Sequence, residues 1–303
     1  LSELQKPDLK AIEPYDISYA ELRPEGDWQE TIQKIATAIN VQFAGSSEPL
    51  PFVPSRHFAG LLREPRVFLV GPSGSGKSRT IIELLRGKTP AYERVFVINP
   101  SNPAGLQSGR ENIAKLSRRF GQGDLVIWDN FPDGLVKRDL ESAFGALEVV
   151  NAAPIQNLYI ALKPSYLEIF RGLTTGIPDI YTHEVSTDLD TMKALVKAYG
   201  GVGQFRDVSK LVSANLDKIA RILWKKQPLS LTVVDYYKAL ATKAEAEPGA
   251  LDEPAALQMA SAWLPVYDYF ERQFEVMKSM PARRGDVEFL YVLRFCYEAG
   301  LDR

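Results

Sequence analysis

The stretch "VFLVGPSGSGKSRTIIELL", Val67 to Leu85, narrows the folds open to this chain more than any other feature. Four apolar residues, Val67 to Val70, predict a short buried strand, and Ile81, Ile82, Leu84 and Leu85 recur behind it at helical spacing. Gly87 stands where a glycine ends a helix. Between strand and helix, Gly71, Gly76, Lys77 and Ser78 fill the fixed positions of G-x-x-x-x-G-K-[ST]. Gly71, Gly74 and Gly76 permit positive φ and keep Cβ atoms out of the path of an approaching anion. The loop through Gly71, Pro72, Ser73, Gly74, Ser75 and Gly76, with Lys77, Ser78 and Arg79 opening the helix, can then aim its backbone N–H groups at phosphate oxygens. Lys77, read as a surface loop residue, reaches the β- and γ-phosphates, and the Ser78 hydroxyl ligates Mg²⁺. The competing reading is an ordinary glycine-rich turn, disfavoured because all four positions are filled between a strand and a helix. The expected ligands are ATP or ADP with Mg²⁺.

More strands follow. "RVFVIN" (Arg94 to Asn99), "LVIWDN" (Leu125 to Asn130), "NLYIALKP" and "DIYTHEVS" each read as β, with helical patterns between them. "GRENIAKLSRRF" predicts a polar helix, Leu140, Phe144 and Leu147 mark another, and "YLEIFRG" a short one. Five β-rich runs alternating with helices predict a parallel sheet covered on both faces. Beyond about Ser186 the β signal stops. Val212, Leu216, Ile219 and Leu223 form a helical stripe, and "KAEAEPGALDEP" reads as a soft hinge before two closing helices. Ahead of the core, a helix starts near Trp28 with Ile32, Ile35, Ala36 and Ile39 on one face, and "AGSSEPLPFVPSR" reads as linker.

A phosphate loop needs an acid opposite its serine. Asp129 ends an apolar strand, where open α/β sheets place ligand-binding groups, and it can hold a Mg²⁺-bound water facing Ser78. Alone, such an aspartate reads as a turn cap; behind a phosphate loop the metal role leads. The next residue is Asn130, where fast ATPases of this type carry glutamate. A carboxamide can orient water but cannot take its proton. The loop, strand and acid order resembles the additional-strand group of P-loop ATPases, and that resemblance implies a γ-phosphate sensor at Lys163, after the fourth strand; an exposed loop lysine is an equal reading. Arg171 is most simply a helix-end cation favoured by the dipole; a resemblance to AAA+ proteins implies an arginine finger as the alternative.

Charge and cysteine content remove several classes. A net charge of −2 gives no global attraction to nucleic acid or anionic membrane. One cysteine, Cys296, cannot form an internal disulfide, and with two histidines it leaves no zinc site. A reducing, cytoplasmic setting is expected. No apolar run approaches the roughly 20 residues that span a bilayer. The chain opens on Leu1, which predicts a piece of a longer protein or a processed product.

The chain resembles the STAND class of signalling ATPases, relatives of AAA+ proteins, from about Pro51 to Arg303. "FVPSRHFAGLL", "GPSGSGKSRT", "LVIWDN", "NLYIALKP" and the tail "FLYVLRFCYEAGLDR" carry the resemblance. One strand separates the loop from the acid in sequence, as in the additional-strand group. The resemblance implies a three-layer P-loop core over 49–185, a helical lid over 186–245 and a winged-helix-like domain over 246–303. It also implies that Val53, Pro54 and Arg56 supply the "V-x-R" peptide that touches adenine. Residues 1–48 form an N-terminal helix and linker, with "IEPYDIS" and Trp28 similar to the end of a TIR-like effector. Two departures stand out: the tail contains no histidine to read the β-phosphate, and Lys163 replaces the usual arginine.

The class implies an ATP-driven switch that hydrolyses slowly and signals through protein partners or self-association of flanking domains. The alternative is an AAA+ motor or initiator-type loader acting on DNA. Its recognition helix should be basic, yet Glu288, Glu298 and Asp302 stand against Arg294 and Arg303, leaving Arg283 and Arg284 in the turn before it. A small-molecule kinase would need an acceptor base and a lid that the sequence does not display.

Overall fold

A computed structural model describes residues 10–12, 15–24, 27–39, 51–56, 58–72, 74–87, 92–99, 114–131, 140–164, 167, 181–247, 249 and 251–262. Among these residues seven strands form one sheet: β1 (Lys10–Ile12), β2 (Tyr15–Leu22), β3 (Arg66–Val70), β4 (Val95–Asn99), β5 (Leu125–Phe131), β6 (Asn157–Leu162) and β7 (Tyr181–Glu184). Their spatial order is β1-β2-β4-β5-β6-β3-β7. The five strands from β4 to β7 in that order are mutually parallel, whereas β2 runs antiparallel to β4 and β1 antiparallel to β2. The five strands expected from sequence are those five. Val67, Leu69, Val95, Val97, Leu125, Ile127 and Leu158 are wholly buried, which is why they read as apolar runs rather than alternating ones.

Both faces are covered. One carries α1 (Trp28–Ala38) and α3 (Lys77–Arg86), whose Ile32, Ile35, Ile81, Ile82, Leu84 and Leu85 share a cluster with Val67, Leu69, Val97 and Ile127. The other carries α4 (Leu140–Ala152), with Leu147 and Val150 packed beside Phe68, Phe96, Trp128 and Ile160. Each buried aliphatic on α3 is worth about 1.5–3 kcal/mol, so this helix is held by its far end.

The sequence analysis sets residues 1–48 apart from the core; the structure joins part of them to it. β1 and β2 extend the sheet beyond β4, and Trp28 Nε1 donates to Leu85 O at 3.1 Å. Asp27 caps α1 by accepting from Gln29 N at 2.9 Å. The hairpin escapes a search for apolar runs because "YDISYAEL" alternates polar and apolar residues, as antiparallel strands do.

Beyond β7 the described residues are helical. Five helices, α5 (Leu189–Gly200), α6 (Arg206–Ser213), α7 (Leu216–Lys226), α8 (Ser230–Ala246) and α9 (Glu253–Ala262), pack round one core containing Met192, Phe205, Val212, Leu223, Tyr237 and Leu240. α2 (Phe58–Leu61) is a short turn ahead of β3. Ala256 and Ala260 of α9 lie in the bundle core, and Tyr236 Oη donates to Ala256 O at 2.9 Å. The bundle therefore continues past residue 245, where the sequence analysis divides it. α8 runs through most of the first half of the expected hinge, leaving 247–252 as the connection. The winged-helix expectation falls mainly on 263–303, outside the described residues.

Candidate functional site

The site grows from the turn between β3 and α3. Gly74 (φ 78°) and Gly76 (φ 99°) take the left-handed conformation that side chains resist. Gly71 is required for space: a Cβ there would lie 2.6 Å from Ser75 Oγ and 2.7 Å from Val185 O. Gly71 N donates to Leu162 O at 3.2 Å, tying the loop to β6. Gly76 caps α3 without a side chain, and no acid sits in the helix's first turn, so its positive end stays open to an anion.

Lys77 is buried, only 7% exposed, rather than displayed on the surface. Its ammonium arches back and donates to Gly71 O at 2.7 Å and Pro72 O at 2.8 Å. Ser78 Oγ lies 2.9 and 3.0 Å from the two carboxylate oxygens of Asp129, which is 2% exposed. Asp129 ends the regular part of β5: pairing with β6 shifts register between Trp128 and Phe131. In space β6 lies between the loop strand β3 and the acid strand β5. A glycine loop after β3, with the acid strand one strand away, is consistent with a P-loop NTPase fold.

A cavity of about 310 Å³ opens in front of the P-loop, within the range of small-ligand sites. Gly74, Ser75, Gly76, Lys77, Ser78, Arg79 and Thr80 form one wall. Phe52, Val53, Ser55 and Phe58 form a second, with Phe52 and Phe58 edge to face at 5.2 Å. His183, Val185 and Thr187 continue from β7, and Thr191, Leu195, Tyr199, Ser230, Leu231 and Val234 face in from α5 and α8. The result is a charged loop at one side and an apolar slot beside it. His183 Nε2 lies 3.4 Å from Ser55 Oγ. Burial pushes the Tyr199 phenol up to about 12, so it stays neutral near pH 7.

The bundle rests directly on the loop. Leu231 N donates to Gly74 O at 3.1 Å and Ser230 Oγ to Ser75 O at 3.3 Å. A Cβ on Gly74 would come within 3.0 Å of Leu231 Cβ.

The structure thus brings together Gly74, Ser75, Gly76, Lys77, Ser78, Arg79 and Val53 at one cavity, with Asp129 behind Ser78 and Gly71 and Pro72 behind Lys77. Pro54 and Arg56 do not line it; Arg56 points outward, 3.8 Å from Asp188 and 3.4 Å from Asp190. Lys163 follows β6 and does not line the cavity. The backbone of Asn130 continues β5, but its side chain, Ser73 and Arg171 lie outside the described residues. The walls from α5 and α8 are absent from the sequence analysis. Their residues read only as bundle positions, and nothing in their spacing says that they meet a loop more than a hundred residues upstream.

No protein-family model and no curated protein sequence matches the chain. Among solved structures, the closed state of Hsp104 with ATPγS and FITC casein is similar over 93% of this chain and 51% of that one. Identity there is 10% and the TM-score 0.47. PCH-2 of C. elegans is similar at 10% identity and TM-score 0.41, over 78% of this chain and 66% of its own. A Rhizobiales Trip13 is similar at 14% identity and TM-score 0.42, covering 80% and 90%. The chain spans about half the length of the Hsp104 chain and about two thirds of PCH-2.

Proposed function

We propose that this chain binds ATP and ADP with Mg²⁺ and works as a slowly hydrolysing switch of the STAND/AAA+ type. The observation that carries the reading is the Ser78–Asp129 contact at the mouth of a glycine loop whose lysine lies beside it. Adjacent hard oxygen donors, one hydroxyl and one buried carboxylate, suit Mg²⁺. Ser78 would hold the ion directly and Asp129 through water, and the ion would neutralise charge on the phosphates. Lys77, released from the carbonyls of Gly71 and Pro72, turns its ammonium to the phosphate chain, and the loop N–H groups take the remaining oxygens. The slot at Phe52, Val53 and Phe58 suits a flat apolar base.

The helical bundle acts as the lid. It meets the loop through Leu231 and Ser230, so a ligand that alters the loop alters that contact as well. Differential contacts of this kind are what a switch needs. Asn130 sets the pace: an amide after Asp129 positions water but accepts no proton. Loss of a general base costs on the order of 10²–10⁴ in rate.

Calorimetric titration with ATP·Mg²⁺ tests the binding claim. The wild-type chain should bind and Lys77→Ala should not, while keeping its circular dichroism, because the lysine holds loop carbonyls and not the core. Unchanged affinity in the variant would remove the basis of the reading.

A further inference from the structure

The guanidinium of Arg79 is the one charged group at the cavity, other than Lys77, among the described lining residues. Among the described residues no carboxylate lines it. Arg79 spends one nitrogen on Glu83, with Nη2 2.7 Å from Oε1. The same Oε1 accepts from Arg86 Nη1 at 2.8 Å, so a single carboxylate faces two guanidinium groups. Arg86 is the more exposed of the two, 28% against 15%, and has water to share its charge. Arg79 does not: its Nε and Nη1 are shut off from solvent and have no hydrogen-bond partner among the described residues. Burial accordingly pulls its pKa below the ordinary arginine value, an effect that Glu83 opposes.

An ordinary i,i+4 surface pair would leave the guanidinium in water, where such pairs contribute little. A buried cation with two unmade donors, beside a cavity holding a second cation, is instead a site awaiting an anion. Its position says which part of the anion. Both residues line the cavity, but Ser78 faces β5 through Asp129, whereas Arg79, one residue on, lies near enough to Tyr199 of α5 for the two to interact electrostatically. The two lie on different sides of α3, so the metal and γ-phosphate belong to one and Arg79 to the other.

We infer that Arg79 is a second phosphate-reading cation, which satisfies its unmade N–H groups on the part of the phosphate chain that ADP and ATP share, on the side where the bundle closes. The inference rests on the nucleotide reading above. It makes Arg79 a source of affinity for phosphorylated nucleosides as a class, without preference between the two nucleotide states.

The test is calorimetric titration of the full chain with ATP, ADP and adenosine, in wild type, Arg79→Met and Arg79→Lys. Arg79→Met should weaken ADP and ATP by the same factor, about 10- to 100-fold for the loss of charge-assisted bonds, and leave adenosine unchanged. Arg79→Lys should recover part of the loss. Without nucleotide, Arg79→Met should melt no lower than wild type, because it removes a poorly satisfied buried charge. Wild-type affinity for ADP and ATP in Arg79→Met, with wild type itself binding both, would overturn the inference and leave the nucleotide reading standing. Loss confined to ATP would also overturn it, making Arg79 a γ-phosphate contact. A lower melting temperature with unchanged affinity would reduce Arg79 to a structural partner of Glu83. Failure of the wild type to bind any nucleotide would overturn both.

Discussion

Replacing Gly71 by alanine should damage loop and fold together, and the size of the effect follows from two contacts. The added Cβ would stand 2.6 Å from Ser75 Oγ and 2.7 Å from Val185 O, where ordinary contact begins at 3.4 Å. Ser75 can swing its hydroxyl aside. Val185 O cannot move so freely, because Val185 N donates to Val70 O at 2.7 Å and holds this backbone against β3. The strain therefore falls on the loop, which must open by about 0.7 Å on the Val185 side. Overpacking of a tight site costs about 1–3 kcal/mol, and a backbone neighbour places this one near 2–3 kcal/mol. For a domain of this size that is a fall in melting temperature of roughly 4–12 °C. Gly71 O also anchors Lys77 at 2.7 Å, so ATP affinity should fall on the order of tenfold as the lysine loses its register. Thermal melts and nucleotide titrations measure both. Gly60→Ala is the control, since nothing lies within 4 Å of a Cβ there. A Gly71→Ala protein that melts and binds like wild type would refute the steric reasoning.

Three further substitutions probe the neighbouring loop glycines and the cap of α5. Gly74→Ala should lose about 1–2 kcal/mol to left-handed strain and also push on Leu231, so hydrogen exchange at the Leu231 amide should quicken; in Gly76→Ala, where the nearest atom is Ser230 Oγ at 3.6 Å, only the strain should appear. Asp188 caps α5 by accepting from Thr191 N at 2.7 Å, so Asp188→Ala should cost about 1 kcal/mol at pH 7. Bonds from Thr191 hold the Asp188 carboxyl below its ordinary range, so its contribution is complete above that range and is lost as pH falls through the lowered folded-state value. Melts of wild type and variant should converge in acid.

Much of the core was legible because buried parallel strands announce themselves. β3 to β7 are runs such as "LVIWDN" and "NLYIALKP", and the glycine loop fixes its own chemistry through Gly76, Lys77 and Ser78. The β1–β2 hairpin was not legible, since β1 is only three residues long and the antiparallel β2 alternates polar and apolar residues instead of forming an apolar run. α9 was hidden for another reason: Ala256 and Ala260 fill the bundle with small side chains that carry almost no apolar signal. The cavity was half legible. The loop wall and Val53 are sequence motifs, but Leu195, Tyr199, Leu231 and Val234 become site residues only when the bundle is laid on the loop. The family resemblance implies an adenine contact for Arg56, yet it turns to Asp188 and Asp190, where an acid-rich helix start outcompetes the cavity for its charge. The unmade donors of Arg79 leave no trace in sequence at all.

Steady-state release of phosphate from ATP by the purified chain, beside Asn130→Glu, addresses the slow switch most directly. Enzymes ordinarily turn over at roughly 1–10³ per second, and a missing base removes about 10²–10⁴ of that. The account predicts wild-type turnover well below about 1 per second, with nucleotide retained through purification and a faster rate in Asn130→Glu. Release of many phosphates per second by the unaltered chain would contradict it and favour a motor.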